Sequence, residues 1–512
     1  MTRVKVSEGI RQSGYMFSQT VVITFLGVLF GIVLARLLGP EQYGILAVLL
    51  AFHLIFTKVS DLGINGSLVY FIAGNLAQGK SADVRACIVT GGIIKTVMGI
   101  LLAAIIVLAS GPLSLYFGIP DPRYLYAVAA MVLIVALVDY ILSTFTGFRE
   151  FRYLVVSRIS GELLKTAAAI GLVILGYGVW GALGAMIAGF FLTLMFSYYF
   201  FHKKVLSDYL GEKKRTEPYL KKFLNYGFFF FINSVFAFVI TKTDILFLSR
   251  FRNYAEVGSY NIGISFIMLL SLIPLALIYV IFPTMASHKF RKDMKSVREN
   301  LTRICKFMSI FNFPIAVYLA VMSTQAVVVI LTGSYDVTIK ILWMLAISGV
   351  LYSFSQVFSF SIAGLGKVRS LSKIVLIQLA LNLALNLYLV PRYGVYGAAS
   401  ALIATNLLGV LLMYALISHA TEARLCGVFA KPLIASALMG AFLYFQRNLV
   451  SPYWLVFSVG SGALVYFTAL SLLHGFEEED IRILKQISTF FGPFGRLMSI
   501  GIKYLEAVGG YK

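Results

Sequence analysis

Apolar runs of about 20 residues, parted by short polar breaks, recur from one end of the chain to the other. A run of that length crosses a hydrocarbon core roughly 30 Å thick as a helix. Backbone groups in lipid have to be satisfied within such a segment, and the two-residue alternation of an outer-membrane barrel is absent. The pattern predicts spans at 15–38, 42–74, 84–109, 124–147, 153–176, 178–201, 221–249, 254–285, 300–330, 337–364, 370–391, 394–418, 431–446 and 453–473. The expected fold class is therefore an all-α integral membrane protein of about 14 transmembrane helices. The second, seventh, eighth and ninth runs exceed what a bilayer needs, so tilts, kinks or extensions into water are expected there. Gly63 and Gly66 mark an expected break in the second.

Composition strengthens this reading. The 512 residues are 59% hydrophobic and 13% charged, where a soluble domain carries about 25% charged residues. The net charge of +21 raises nucleic acid as a partner. The basic residues, however, sit in short loops between apolar runs and not on one face beside stacking groups, which excludes nucleic-acid binding. The first run, Tyr15 to Leu38, is too long for a cleaved signal and is expected to be the first span. Cys87, Cys305 and Cys426 fall at expected cytoplasmic helix ends, where free thiols are expected. His53 lies within a helix, while His202, His288, His419 and His474 are scattered without metal-ligand spacing.

Loop charge sets the orientation. With the N-terminus inside, the inner segments hold 30 Lys and Arg residues against 7 outside, and every alternate loop agrees. The positive-inside rule then places both termini in the cytoplasm. The tail after Phe476 opens with Glu477-Glu478-Glu479-Asp480, favourable at a helix start. Ile481, Leu484, Ile487 and Phe491 follow at helical spacing, which predicts either a helix on the cytoplasmic membrane surface or a solvated tail.

An internal repeat crosses the chain. Leu34-Ala35-Arg36 followed by Gly44 matches Leu248-Ser249-Arg250 followed by Gly258. Gly147-Phe148-Arg149-Glu150-Phe151-Arg152 matches Gly364-Leu365-Gly366-Lys367-Val368-Arg369, and Tyr177-Gly178-Val179-Trp180-Gly181-Ala182 matches Tyr393-Gly394-Val395-Tyr396-Gly397-Ala398. The three offsets are 214, 217 and 216 residues. Six spans is an even number, so the two halves share one orientation and are expected to be related by a pseudo-two-fold axis along the membrane normal. The expected organisation is an N-terminal lobe at 1–202, a charged linker at 203–220, a C-terminal lobe at 221–418, two further helices at 419–473 and a cytoplasmic tail at 474–512. Two such lobes leave a cleft that can open to either side, which is transporter architecture.

Ionisable residues at membrane depth are costly and point to function. Lys58 and Asp61 lie one turn apart in the second span, which allows an internal ion pair. Lys95 in the third has no carboxylate at helical-neighbour spacing and is a candidate for meeting an anion. Asp139 in the fourth likewise stands alone and is a candidate for a coupling proton or sodium. The fifth carries Arg158 and an i,i+3 pair, Glu162 and Lys165; the seventh carries Asn233, Lys242 and Asp244. The matching C-terminal helices offer the amides Gln356, Gln378, Asn382, Asn386 and Asn406. The candidate cavity cations are Lys58, Lys95, Lys165, Lys242, Arg36 and Arg250, the last two at matching helix ends where headgroup anchoring competes as an explanation. The candidate ion-coupling carboxylates are Asp61, Asp139, Glu162 and Asp244. No nucleophile elbow, Walker loop or HExxH occurs, so no enzyme, no resident metal and no cofactor beyond a coupling Na+ or H+ is expected.

The run Leu34-Ala35-Arg36-Leu37-Leu38-Gly39-Pro40-Glu41-Gln42-Tyr43-Gly44, with Asp61-Leu62-Gly63 beyond it, resembles the opening of Wzx-type polysaccharide flippases. These belong to the multidrug/oligosaccharidyl-lipid/polysaccharide exporter superfamily. Lys242-Thr243-Asp244-Ile245-Leu246 leading to Val257-Gly258-Ser259-Tyr260 resembles that family's seventh helix. The stretch from Asn386 through Pro391-Arg392-Tyr393-Gly394 to Ala399 is similar to its eleventh-to-twelfth turn. The resemblance implies a V-shaped pair of six-helix lobes and alternating access. It implies a polyprenyl- or dolichyl-pyrophosphate-linked oligosaccharide as substrate, moved across the cell membrane for surface polysaccharide or protein glycosylation. Membrane lipids and a glycan polymerase or transferase complex are the implied partners, and a monomer is expected. A pyrophosphate cannot cross hydrocarbon unaided, so such a protein needs a hydrated cavity, fixed cations and a lateral gate for the tail. Two other readings stay open: an ion-coupled multidrug-type antiporter, and a non-transporting scaffold of a glycan-assembly complex. A polymerase would need a large extracytoplasmic loop, which the sequence lacks.

Overall fold

The computed structural model describes residues 2–206, 219–271, 274, 293–331, 334–421, 425–482, 485 and 492–509. Every extended regular element among them is a helix. In chain order these are α1 (Thr2–Asp61), α2 (Ile64–Ala77), α3 (Ser81–Leu108), α4 (Ser110–Phe117), α5 (Arg123–Phe148), α6 (Phe151–Ile174) and α7 (Gly178–Phe201). Then follow α8 (Leu220–Phe251), α9 (Tyr254–Ile267), α10 (Met294–Val321), α11 (Ser323–Leu331), α12 (Asp336–Gly364), α13 (Val368–Tyr393), α14 (Val395–Thr421), α15 (Cys426–Tyr444), α16 (Pro452–Leu472) and α17 (Gly492–Gly509). Ten candidate spans among the described residues are long and apolar enough to cross a membrane. The protein is an all-α membrane protein.

Two breaks divide the first stretch, and each has a backbone cause. Gly39 has φ 72° and ψ 172°, so α1 is two helices meeting end to end there, and Pro40 has no N–H with which to continue the ladder. The second break follows Asp61, where Leu62 and Gly63 have φ 47° and 75°, in the left-handed region that favours glycine. It falls at Gly63, whereas Gly66 lies inside α2. Other ends are fixed by caps. Asp293 accepts the Ser296 N–H at 3.0 Å, and Ser451 accepts from Trp454 with Pro452 in the first turn.

The surface is apolar where water would forbid it. On α3, Ile93, Val97, Ile100 and Leu108 are exposed while Lys95 is fully buried. This inside-out arrangement puts hydrocarbon outside and charge within, as a bilayer requires.

The helices group into two compact units. The first holds the chain up to Ser265 together with Lys367–Gly409. Its core includes Ile64, Leu68, Ile72, Ile88, Leu142, Phe145 and Phe223. The free thiol of Cys87 is buried here, beside Asn75 at 3.5 Å.

The second unit holds Val410–Lys512 and most of the stretch between residues 266 and 366. Ile310, Met439, Tyr466 and Leu470 form its core with Phe476, Ile481, Ile502 and Leu505. Cys305 is a second buried free thiol, and the Cys426 side chain lies outside the described residues. The acidic segment after Phe476 is tied down here by ion pairs, with Asp480 buried and Glu477, Glu478 and Glu479 at the surface. Lys306 reaches Glu477 at 2.7 Å and Asp480 at 2.6 Å, and Arg303 reaches Glu479 at 2.6 Å. Beyond it α17, a helix the sequence pattern did not predict, sets Tyr504 against Thr468 at 2.7 Å. Leu484, Ile487 and Phe491, which carried the expectation of a tail helix, are outside the described residues.

The Lys306 hydrogen bond holds the Glu477 carboxyl below the usual carboxylate range. A depressed folded value means the stabilisation is complete above the unfolded value of about 4.3 and is lost as pH falls through the lower, folded one. The segment 474–482 should therefore resist proteolysis at pH 5 to 8 and loosen only below about pH 4. Lys306→Met should release it at neutral pH. A segment equally protected in that variant would show that the apolar anchors Phe476 and Ile481 hold it alone.

Candidate functional site

Two ion pairs of the first unit join different helices. Asp61 ends α1, and its Oδ1 accepts from the Asn65 N–H at 3.2 Å and from Lys95 Nζ at 3.0 Å. The Lys95 side chain has no exposed surface, and that of Asp61 is 17% exposed. This differs from the spacing-based pairing of Asp61 with Lys58. At the α1–α2 break the Asp61 carboxylate accepts from the first turn of α2, and Lys95 of α3 reaches the same oxygen there. Lys95 is thus no free cation. Asp139 does not stand alone either, because Arg158 of α6 approaches it at 3.4 Å.

Lys58 is left without a carboxylate partner among the described residues. Its ammonium sits 5.1 Å from the ring centroid of Phe238 on α8. A lysine facing a ring keeps its charge partly balanced by the π face while remaining able to meet an anion. Lys165 pairs with Glu162 as the i,i+3 spacing predicts, and also lies 5.0 Å from the Phe30 ring. His53, buried at 3% exposure, stacks on Phe190 at 5.4 Å with no hydrogen-bond partner at Nδ1. Arg36 and Arg250 are exposed, and Arg250 lies 4.8 Å from the Tyr116 ring.

A second cluster forms where α8, α9, α13 and α14 meet. Asp244 is 2% exposed and accepts from Tyr260 Oη and from Asn386 Nδ2, each at 2.8 Å. Asn386 Nδ2 also donates to the Asn382 carbonyl at 3.0 Å, and Asn382 Nδ2 faces Thr405 Oγ1 at 3.4 Å. Asn382 and Asn386 are both fully buried, yet neither amide Oδ1 has a partner. Buried acceptors without donors are costly and rare. The set of carboxylate, amide and hydroxyl oxygens has the chemistry of a hard-cation site. Lys242, two residues before Asp244, is partly buried. The Asn233 side chain lies outside the described residues.

Sequence reasoning named Asp244, Asn382 and Asn386 separately. It did not bring them together, it quoted Tyr260 only as part of the seventh-helix motif, and it missed Thr405. The available signal was that α13 carries its amides four residues apart, on one face.

Residues 10–289 match the family model described as polysaccharide biosynthesis protein. The chain belongs to this family. Among its relatives is the lipopolysaccharide biosynthesis protein WzxC of Escherichia coli (strain K12), 22% identical over 89% of this chain and 86% of that protein. The probable low-salt glycan biosynthesis flippase Agl15 of Haloferax volcanii is 20% identical over 88% of this chain and 92% of its own. In solved structures the fold resembles the lipid II flippase MurJ in an inward closed conformation, with a TM-score of 0.72 and 17% identity, covering 90% of this chain and 98% of that one.

Proposed function

We propose that this family member is a flippase that moves a polyprenyl-pyrophosphate-linked oligosaccharide across the cytoplasmic membrane by alternating access. Its two six-helix lobes are related by the 214- to 217-residue repeat, with α15 and α16 added after them, some 14 spans in total and both termini cytoplasmic. A lipopolysaccharide biosynthesis relative in Escherichia coli and a probable glycan biosynthesis flippase in Haloferax volcanii support this reading. The observation that carries it is Lys58, an intramembrane cation with no carboxylate partner among the described residues, facing a ring. Lys58 is the charge that meets the pyrophosphate. Lys95, Asp61, Arg158 and Asp139 hold the surrounding helices in place.

In this reading the energy comes from an ion gradient or the membrane potential. Asp244 with the open amide oxygens of Asn382 and Asn386 is the coupling site, and its all-oxygen donor set suits a sodium ion. The deciding experiment is purified protein in liposomes with labelled lipid-linked glycan, with and without a sodium or a proton gradient. Flipping that responds to sodium and loses that response in Asp244→Asn is the expected result. A proton response in its place would assign the same carboxylate to a proton. No movement of glycan by intact protein would favour the scaffold reading.

A further inference from the structure

Gly44 and Gly258 occupy the same place in the two copies of the repeat, 214 residues apart, and they lie against each other. A β-carbon on Gly44 would overlap the Tyr254 carbonyl oxygen and stand 3.0 Å from Gly258 N. A β-carbon on Gly258 would overlap the Pro40 carbonyl oxygen and stand 2.9 Å from Gly44 N. Pro40 and Tyr254 are themselves one repeat apart, so the contact is reciprocal: each half offers the other the same two residues. A self-complementary patch of this kind is what a two-fold axis generates. On the charge-derived topology it lies at the outer end, where α1 restarts after Gly39 and α9 begins.

A second glycine contact joins the α1–α2 break to α8, the helix that precedes α9. A β-carbon on Gly227 of α8 would stand 2.8 Å from the Gly63 carbonyl oxygen and 3.0 Å from Ser67 Oγ. Around it, Ser67 Oγ donates to the Phe223 carbonyl at 3.0 Å, and Tyr70 stacks on Tyr226 at 4.3 Å. Lys58 lies between Gly44 and Gly63 along α1, and Phe238 of α8 lies between Gly227 and Gly258 in the sequence. At the glycines themselves backbone meets backbone, which lets the helices approach closely with no side chain standing between them at those points. Such surfaces can part without unthreading.

We infer that the Gly44–Gly258 contact is the outer seal of the passage and the Gly63–Gly227 contact its inner seal, both closed in this structure, and that each transport cycle parts them in turn. The inference rests on the transport reading above. Its test uses Lys58→Cys as a reporter in a background without Cys87, Cys305 and Cys426, labelled by a membrane-impermeant maleimide in oriented vesicles. Flipping is measured separately in the lysine-containing protein.

Gly44→Ala and Gly258→Ala should each raise labelling from the outside and lower flipping by at least about tenfold. Gly227→Ala should raise labelling from the inside only. Gly184→Ala, where a β-carbon meets nothing within 4 Å, should change neither. Should the alanine variants fail to insert, Tyr254→Phe adds no atoms and removes the 3.0 Å hydrogen bond to the Phe117 carbonyl. It should raise outside labelling as well. Wild-type labelling in all the outer variants that insert, or equal outside labelling with Gly227→Ala, would overturn the seals. A wild-type protein that shows the labelling pattern yet flips no glycan would instead overturn the transport reading alone.

Discussion

Lys58→Gln should abolish most glycan flipping while leaving insertion and thermal stability unchanged. The side chain has no carboxylate partner among the described residues and packs on the Phe238 ring, so removing its charge strands no buried anion. What is lost is the interaction with the pyrophosphate. A hydrogen bond to a charged group contributes about 1.5–3 kcal/mol, so the flipping rate should fall by roughly 10- to 100-fold. Lys58→Arg keeps the charge and should retain a large part of the rate. Initial rates of labelled polyprenyl-pyrophosphate glycan movement in proteoliposomes measure this, with a melting curve as the folding control. A folded Lys58→Gln protein that flips at the wild-type rate would remove this cation from the substrate path.

The all-α membrane class was legible in the sequence because bilayer thickness dictates run length, and run length is a local property. The backbone breaks at Gly39 and Gly63 were legible too, since proline and left-handed glycine act where they stand. The site was legible only as a set of residue types. The i,i+3 pair of Glu162 and Lys165 shows in the spacing, and it is present. Lys95 and Asp61 are 34 residues apart, and only the packing of α3 against the α1 break joins them. Asp139 seemed unpartnered for the same reason, its arginine lying on the next helix. The Asp244 cluster draws on residues 142 positions apart. A shared repeat position for Gly44 and Gly258 was readable. That the two touch was not, because a repeat specifies equivalence and only three dimensions specify contact.

Lys95→Met should destabilise the protein, and Asp61→Asn should rescue it. Lys95 is completely buried and its ammonium sits 3.0 Å from Asp61 Oδ1. Removing one partner of a buried pair leaves an uncompensated charge, at a cost of about 3–5 kcal/mol. The single variant should therefore insert poorly and melt well below the wild type. In the double variant the asparagine keeps an oxygen to accept from the Asn65 N–H, now 3.2 Å from Asp61 Oδ1. Methionine fills the lysine's volume without its charge, so most of the lost stability should return. Flipping by the double variant then separates the two roles open to Lys95. A stable double variant that still moves glycan at a substantial fraction of the wild-type rate assigns Lys95 to holding α1 against α3. A stable double variant with no flipping assigns it to the substrate, and then the ion pair has to open during transport. A Lys95→Met protein as stable as the wild type would mean that the pair contributes nothing to the fold, against the burial and geometry seen here.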